Sequence, residues 1–427
     1  MKVFALKIAA AAVRVIAAIA GLFAGSRDGI VLISCQDDKP SRDILDLAEA
    51  LQASPGNLQV TVLAGRMRRS LGGAFLFTGK LFSMLRHIRG ARVVAVDAYC
   101  LAVSIPKKRP GQKVVQLWHA PEAIKKFSLQ VLDTPAGYDR RTADILCMHR
   151  GYDYILCQAD ATHPFFEEAF GYPEEVFVKL GLPLLDRIGL MKRPAPGEEE
   201  SAGRLAARAA IYERYTMLNN KSEGKPLTVV YAPTFRDGES VDAAGLVRSL
   251  EAAGAALEES PGLALVLKLH PLDAQSITDE TIPVIASEAK QSNDDGVNTT
   301  SGVIVIKDEE FPLIDWYAAA DVIITDYSGV AVEAAAAGVA SYYYIYDIDD
   351  YAARRGLNVD LRMEAIGMYA ITDADALAAQ IVSDFLNTGT QTQPIYDYDA
   401  LAVFAGKYLE APLTGNTEKL AAFIAGL

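Results

Sequence analysis

Two histidines stand directly behind apolar runs rich in branched residues. His119 follows KVVQLW (113–118) and His270 follows LALVLKL (263–269). In open parallel sheets, ligands bind outside the carboxyl ends of the strands. Residues that break an apolar run at that end are therefore the first candidates for chemistry. The same rule selects Thr234 and Arg236, in Pro233-Thr234-Phe235-Arg236-Asp237 after LTVVYA (227–232). It also selects Asp326 and Ser328, in Asp326-Tyr327-Ser328-Gly329 after DVIIT (321–325).

Each residue type suits a task at a phosphate. Imidazole has an ordinary pKa of about 6.5, which fits a general base near neutrality. An arginine such as Arg236 gives phosphate a charge-assisted hydrogen bond of about 1.5–3 kcal/mol. Ser328 is expected to cap a helix over 329–337. Gly329 lets an anion approach the free N–H groups at that helix start. Glu333, one turn further in, can accept hydrogen bonds from ribose hydroxyls, and the Lys125-Lys126 pair can steer a polyanionic acceptor. Each also has a plain alternative: a satisfied core histidine, a surface arginine, a simple cap, a solvated carboxylate or lysine pair. Their joint arrival at four strand ends favours chemistry. No DxD stands at a strand end and no Cys/His cluster has ligand spacing, so no metal or other cofactor is expected.

The elements that must position these residues alternate. Strand-like runs at 29–35, 58–63, 92–96, 113–118 and 153–157 are separated by helical patterns such as RDILDLAEALQ (42–52). The pattern restarts at 227–232, 263–269, 303–306, 321–325 and 340–345. Apolar strands between helices predict an α/β chain with parallel sheets covered on both faces. We expect an N-terminal helix over 1–27, Rossmann-like domains over 28–195 and 205–395, and C-terminal helices over 396–427. LMKRPAPGEEESAG (190–203) reads as the linker, and 286–302 as an inserted, mobile surface loop. His119 and His270 are expected to face a central cleft.

The chain has 427 residues, enough for two domains, and a formal net charge of −13, which argues against nucleic acid as a partner. Its four cysteines are widely spaced and read as reduced, buried thiols. Residues 3–24 are apolar except for Lys7 and Arg14, which fall on one helical face. This reads as a helix on a membrane surface, with a cleaved signal as the rival. Residues 50–96 hold no Asp or Glu but carry Arg66, Arg68, Arg69, Lys80, Arg86, Arg89 and Arg92. Such a stretch suits an anionic membrane surface, each basic residue adding about 1 kcal/mol.

These motifs resemble the CDP-glycerol glycerophosphotransferase family of teichoic acid primases and polymerases. The resemblance rests on Trp118-His119-Ala120 with Lys125-Lys126, Gly181-Leu182-Pro183-Leu184-Leu185-Asp186, Tyr231-Ala232-Pro233-Thr234-Phe235-Arg236, Lys268-Leu269-His270-Pro271 and Thr325-Asp326-Tyr327-Ser328. Downstream, Tyr344-Ile345-Tyr346-Asp347 and Tyr351 also fit. The resemblance implies two facing Rossmann-like domains of the glycosyltransferase-B type, bound peripherally to the cytoplasmic membrane face. It implies transfer of glycerol phosphate from CDP-glycerol to a hydroxyl of a lipid-linked polyol-phosphate acceptor, with release of CMP. His119 would be the base, and His270 and Lys268 would stand at the pyrophosphate. Trp118, Thr234, Arg236, Asp326, Ser328, Gly329 and Glu333 would serve the donor. Three positions depart from the family pattern: Leu184 replaces its arginine, Gly329 its second serine and Glu333 its aspartate. They leave ribitol or another CDP-alcohol open as donor. The alternatives are a UDP- or GDP-sugar transferase of the same fold and a non-catalytic membrane-bound scaffold.

Overall fold

A computed structural model describes the chain apart from residues 1, 26–27, 66–70, 220–224, 235, 237–241, 256–261, 270–296, 301–302 and 387–394. The chain divides into two compact units. Unit 1 is Met1–Asp186 with Arg354–Asn358 and Tyr408–Leu427, and unit 2 is Arg187–Ala353 with Val359–Lys407. The division falls just ahead of the Pro- and Gly-rich stretch at 190–203. The C-terminal region is shared. Helix Tyr398–Tyr408 lies almost wholly in unit 2, and helix Asn416–Gly426 lies in unit 1.

Unit 1 is built on a six-stranded parallel sheet: β1 (Gly29–Ser34), β2 (Val60–Ala64), β3 (Ala91–Val96), β4 (Lys113–Gln116), β5 (Tyr154–Leu156) and β6 (Phe177–Val178), in the order β2-β1-β3-β4-β5-β6. β1 and β3 are central and almost entirely buried, which is why they read as continuous apolar runs. Helix Arg42–Ala53 buries Ile44, Leu47, Ala48 and Leu51, at i, i+3, i+4 and i+7, against one face of this sheet. The order reverses direction between β1 and β3, so the crevice of this sheet opens at their carboxyl ends.

Unit 2 carries seven strands: β7 (Leu227–Tyr231), β8 (Leu263–Leu267), β9 (Val297–Thr300), β10 (Val303–Lys307), β11 (Val322–Thr325), β12 (Ala340–Tyr344) and β13 (Ala370–Ile371). Their order is β13-β12-β11-β7-β8-β10-β9, all parallel except β9, which pairs antiparallel to β10 at the edge. Here the switch lies between β7 and β11. The α/β architecture with two sheets is thus as the alternation predicts. One correction concerns 286–302: VNTT (297–300) is an edge strand paired through its backbone with β10, although its sequence carries no strand pattern. The remainder of that stretch lies outside the described residues. The two-residue strands β6 and β13 are too short for periodicity to reveal.

The N-terminal helix, Lys2–Leu22, lies on protein. Ala10, Val13, Ala17 and Ala20 form its buried stripe, in one core cluster with Leu81, Met84, Leu85 and Ile88 of helix Leu71–Gly90. The basic stretch is also less open than its composition suggests. Arg86 donates to the carbonyl of Phe23, Arg89 to those of Ala17 and Lys107, Arg92 to that of Ala425, and Lys80 pairs with Asp38. Arg66, Arg68 and Arg69 lie outside the described residues. The opposite face of the N-terminal helix exposes Phe4, Ile8, Val15, Ile19 and Leu22.

Candidate active site

In unit 1 the switch point is organised by Asp97, the residue after β3. Its carboxylate is buried and accepts from Ser34 Oγ (2.7 Å), the Cys35 N–H (2.8 Å) and Ser41 Oγ (3.0 Å), tying the end of β1 to the end of β3. Its main-chain carbonyl lies 3.1 Å from Nδ1 of His119. A carbonyl oxygen only accepts, so Nδ1 carries the proton and Nε2 keeps its lone pair. His119 is exposed as a residue, but its ring is bonded to the Asp97 carbonyl and lies against Trp118, which removes part of its hydration. That desolvation depresses its pKa below the ordinary histidine value; the bond to Asp97 and the Asp97 charge oppose the shift, and Lys125 adds to it. The lowered pKa favours the neutral imidazole, and the bond to Asp97 favours its proton on Nδ1.

Trp118, expected with the donor residues, forms the wall behind His119. Its ring lies 4.4 Å from the imidazole and stacks at 5.0 Å on Phe127. Its φ is +60°, a left-handed conformation that costs a bulky residue about 1–3 kcal/mol. Gln116 holds it there: Oε1 accepts from the Trp118 N–H at 2.9 Å, and Nε2 donates to the carbonyl of Ala98. The Lys125-Lys126 pair is fixed through its backbone. Lys125 bridges to Leu357, and the Lys126 N–H donates to the carbonyl of Gly356. Gly356 has a φ of +80°, which favours glycine, and a β-carbon there would lie 2.7 Å from Cδ of Lys126, so that flexible side chain would have to shift.

In unit 2 the switch point joins Thr234, beyond β7, to Asp326, beyond β11. Thr234 donates to Asp326 through its N–H (2.9 Å) and its hydroxyl (2.6 Å). Arg236 is buried. Its Nε and Nη2 donate to the two oxygens of Asp347, Nη1 donates to the carbonyl of Thr234, and Nη2 lies 2.9 Å from Asp326 Oδ2. The guanidinium also sits over Tyr351, 4.6 Å from its centroid, and Tyr351 stacks on Tyr327. Lys268 is equally committed: Nζ donates to Asp308 Oδ2 and to the carbonyls of Asp308 and Phe311. Asp308 further accepts from Trp316 Nε1 and the Tyr215 hydroxyl.

The sequence reading gave Arg236 and Lys268 to the donor phosphates. The structure gives both cations carboxylate partners, because a buried charge costs several kcal/mol unless it is paired. Arg236 ties the end of β7 to Asp326 and Asp347, and Lys268 ties the end of β8 to Asp308 and Phe311 beyond β10. Helix Val330–Ala336 starts behind Gly329, which already has helical backbone angles, and the Val330 N–H donates to Ser328 Oγ at 3.4 Å, so Ser328 supplies the side-chain cap expected at this helix start. Glu333 is half-buried and accepts from the Tyr317 hydroxyl at 3.1 Å. His270 lies outside the described residues.

The Gly181–Asp186 motif serves the C-terminal helix. Asp186 accepts from the N–H groups of Asn416 and Thr417 and from both of their side chains, capping helix Asn416–Gly426. A β-carbon on Gly181 would lie 2.2 Å from Asn416 Oδ1. Leu184, where the family has arginine, packs with the apolar cluster that receives this helix.

Asp97 is the positioning residue of this candidate site that sequence reasoning passed over. The rule that selected His119 applies to it equally, since Asp97 directly follows RVVAV. Asp308 likewise follows β10.

Comparisons with known proteins agree with this architecture. The chain is 26% identical over 390 residues to a teichoic acid ribitol-phosphate primase of Bacillus spizizenii, covering 84% of this chain and 91% of that one. It is 27% identical over 341 residues to a teichoic acid glycerol-phosphate primase of Bacillus subtilis, covering 79% and 74%. In fold it is similar to the wall teichoic acid polymerase TagF, with a TM-score of 0.63 at 16% identity over 95% of this chain and 90% of that one. It is also similar to a UDP-GlcNAc 2-epimerase of Neisseria meningitidis, with a TM-score of 0.50 at 11% identity over 93% and 100%. A family model described as CDP-glycerol:poly(glycerophosphate) glycerophosphotransferase matches residues 20–424. With nearly its whole length matched, the chain belongs to the CDP-glycerol:poly(glycerophosphate) glycerophosphotransferase family, a transferase family of cell-wall teichoic acid synthesis.

Proposed function

We propose that this protein transfers glycerol phosphate or ribitol phosphate from a CDP-alcohol to a hydroxyl of a lipid-linked acceptor, releasing CMP. The observation that carries the reading is His119. It is neutral, its Nδ1 proton is committed to the Asp97 carbonyl, and its Nε2 lone pair is left for a substrate proton. The acceptor hydroxyl gives its proton to Nε2 and its oxygen attacks the β-phosphorus. The bond from that phosphorus to the bridging oxygen breaks, and the electron pair leaves with CMP.

In this reading unit 2 holds the donor. Thr234, Asp326, Arg236 and Lys268 are its framework. Ser328, Gly329 and Glu333 touch the nucleotide, and His270 stabilises charge on the leaving phosphate. Lys125 and Lys126 steer the acceptor's phosphates. The relatives' names support both polyols, since they include a ribitol-phosphate and a glycerol-phosphate primase. Two doubly wound units support a glycosyltransferase-B type of chain. The exposed stripe of Phe4, Ile8, Val15, Ile19 and Leu22 supports peripheral attachment to the cytoplasmic membrane face.

The test is product analysis with CDP-glycerol and CDP-ribitol on a lipid-linked primer. CMP formation with extension of the primer by one of the two polyol phosphates is expected. Retention of transfer by His119→Ala would sink the base assignment.

A further inference from the structure

Unit 1 contains a cavity of about 330 Å³ beside the wall of His119. Leu129, Leu132, Met148 and Phe170 give it an apolar floor, and Arg140 and Arg150 stand on its rim. His149 also lines it. The His149 ring lies 6.2 Å from Trp118, whose ring lies 4.4 Å from His119, so one aromatic side chain separates the cavity wall from the proposed base.

The backbone here is held against its preference. Among the described residues, six other than glycine have positive φ, and five of them are Trp118, Ser128, Asp133, Cys147 and His149. Four adjoin or line the cavity: Ser128 precedes Leu129, Asp133 follows Leu132, Cys147 precedes Met148, and His149 is in the lining. Such conformations persist only where surrounding structure over-determines them, and they concentrate at ligand sites.

We infer that this cavity is a subsite for the acceptor, taking a phosphorylated polyol or sugar unit next to the attacking hydroxyl. The inference rests on the transfer reaction proposed above. Phosphate suits the rim because both arginines are exposed and, among the described residues, surface carboxylates hold them. Arg140 Nε is 3.4 Å from Asp133, and Arg150 Nη2 is 3.0 Å from Asp144, itself a lining residue. Exposed pairs of this kind are weak, and a phosphate offers each guanidinium a stronger two-pronged partner. The carbon face of the ligand meets Leu129, Leu132, Met148 and Phe170. Burial pushes the pKa of His149 down to about 3, so it adds no charge to this apolar side.

The probe is a short-chain alkyl glycerol phosphate, which carries a phosphate and free hydroxyls. Its binding to the full chain is measured by calorimetry, beside that of CDP-glycerol. The Arg140→Ala/Arg150→Ala variant should bind the probe about tenfold more weakly, and Leu132→Trp should bind it more weakly still by filling the cavity. Arg141→Ala, a neighbouring exposed arginine outside the cavity, should match wild type. The alkyl glycerol without phosphate should bind wild type about tenfold more weakly than the probe. CDP-glycerol affinity should stay within about twofold throughout. If CDP-glycerol binds but the probe does not, or if the double arginine variant binds the probe as well as wild type does, the subsite is wrong and the transfer reading stands. If wild type binds neither compound, both fall. The double variant changes only exposed side chains, so it decides the matter even if Leu132→Trp fails to fold.

Discussion

Nδ1 of His119 lies 3.1 Å from the main-chain carbonyl oxygen of Asp97, so a residue at the end of β3 sets the tautomer of a histidine at the end of β4. The Asp97 side chain holds the end of β1 at the same time. Three strand ends are thereby locked around one imidazole.

Removing that imidazole should remove the base. His119→Ala should lower kcat by about 10²–10⁴, the usual contribution of a positioned general base. CMP release under saturating donor checks it, and a thermal melt near wild type, expected of an exposed side chain, would separate lost chemistry from lost fold.

The pH profile should show the same group. A base must be unprotonated, and burial lowers the His119 pKa. The acid limb of kcat/KM should therefore fall with a midpoint below about 6.5, the ordinary histidine value, leaving a plateau through neutrality. The limb should be absent from the residual activity of His119→Ala. A wild-type midpoint above the ordinary value would contradict the assigned environment.

Asp97→Ala should cost both stability and rate. It strands the hydroxyls of Ser34 and Ser41 and the N–H of Cys35, and one unsatisfied buried group costs about 1–3 kcal/mol. Denaturant melts measure that loss. The variant keeps the main-chain carbonyl that accepts from His119, so its effect on rate acts through displacement of the β3 end, which nitrogen chemical shifts of His119 should show as mixing of the Nδ1–H tautomer with the other.

Arg236 is closer to a keystone than to a phosphate ligand. Arg236→Met leaves buried Asp326 and partly buried Asp347 with their shared cation gone, and should destabilise unit 2 by about 3–5 kcal/mol. Arg236→Met/Asp347→Asn should recover part of that loss. If Arg236→Met instead leaves stability unchanged and raises only the KM for the donor, the phosphate-contact role is restored.

The Asp186 cap makes a pH-dependent prediction. Burial raises its pKa, but bonds from Thr417 and Asn416 outweigh that and hold it below the usual carboxylate value. Its stabilisation is therefore complete above about pH 4, the unfolded value, and is lost as pH falls through the depressed folded value. Asp186→Ala should cost about 1–2 kcal/mol and speed hydrogen exchange across Asn416–Gly426 at neutral pH. At a pH below the folded value the variant and wild type should converge.

What the sequence determined by itself is local in origin. Apolar runs interrupted by helical periods report burial one element at a time, so the two-sheet α/β architecture was legible. So were the polar residues at the ends of β4, β7, β8 and β11. What only the tertiary structure decided is which of those polar groups are already spent on one another. Arg236 meets Asp347 and Lys268 meets Asp308 across 111 and 40 residues of chain, and nothing in local spacing announces either pair. Burial forces such pairing, since an unpartnered charge in a low-dielectric interior is unaffordable. The same holds for the N-terminal helix. Its apolar composition suggested a membrane surface, but only folding could show that the small side chains of Ala10, Ala17 and Ala20 let one face close against helix Leu71–Gly90. His119 shows both kinds of knowledge. Its place at a strand end was written in KVVQLWH, whereas its tautomer and its lowered pKa come from Asp97 and the surrounding protein, which reach it only through the fold.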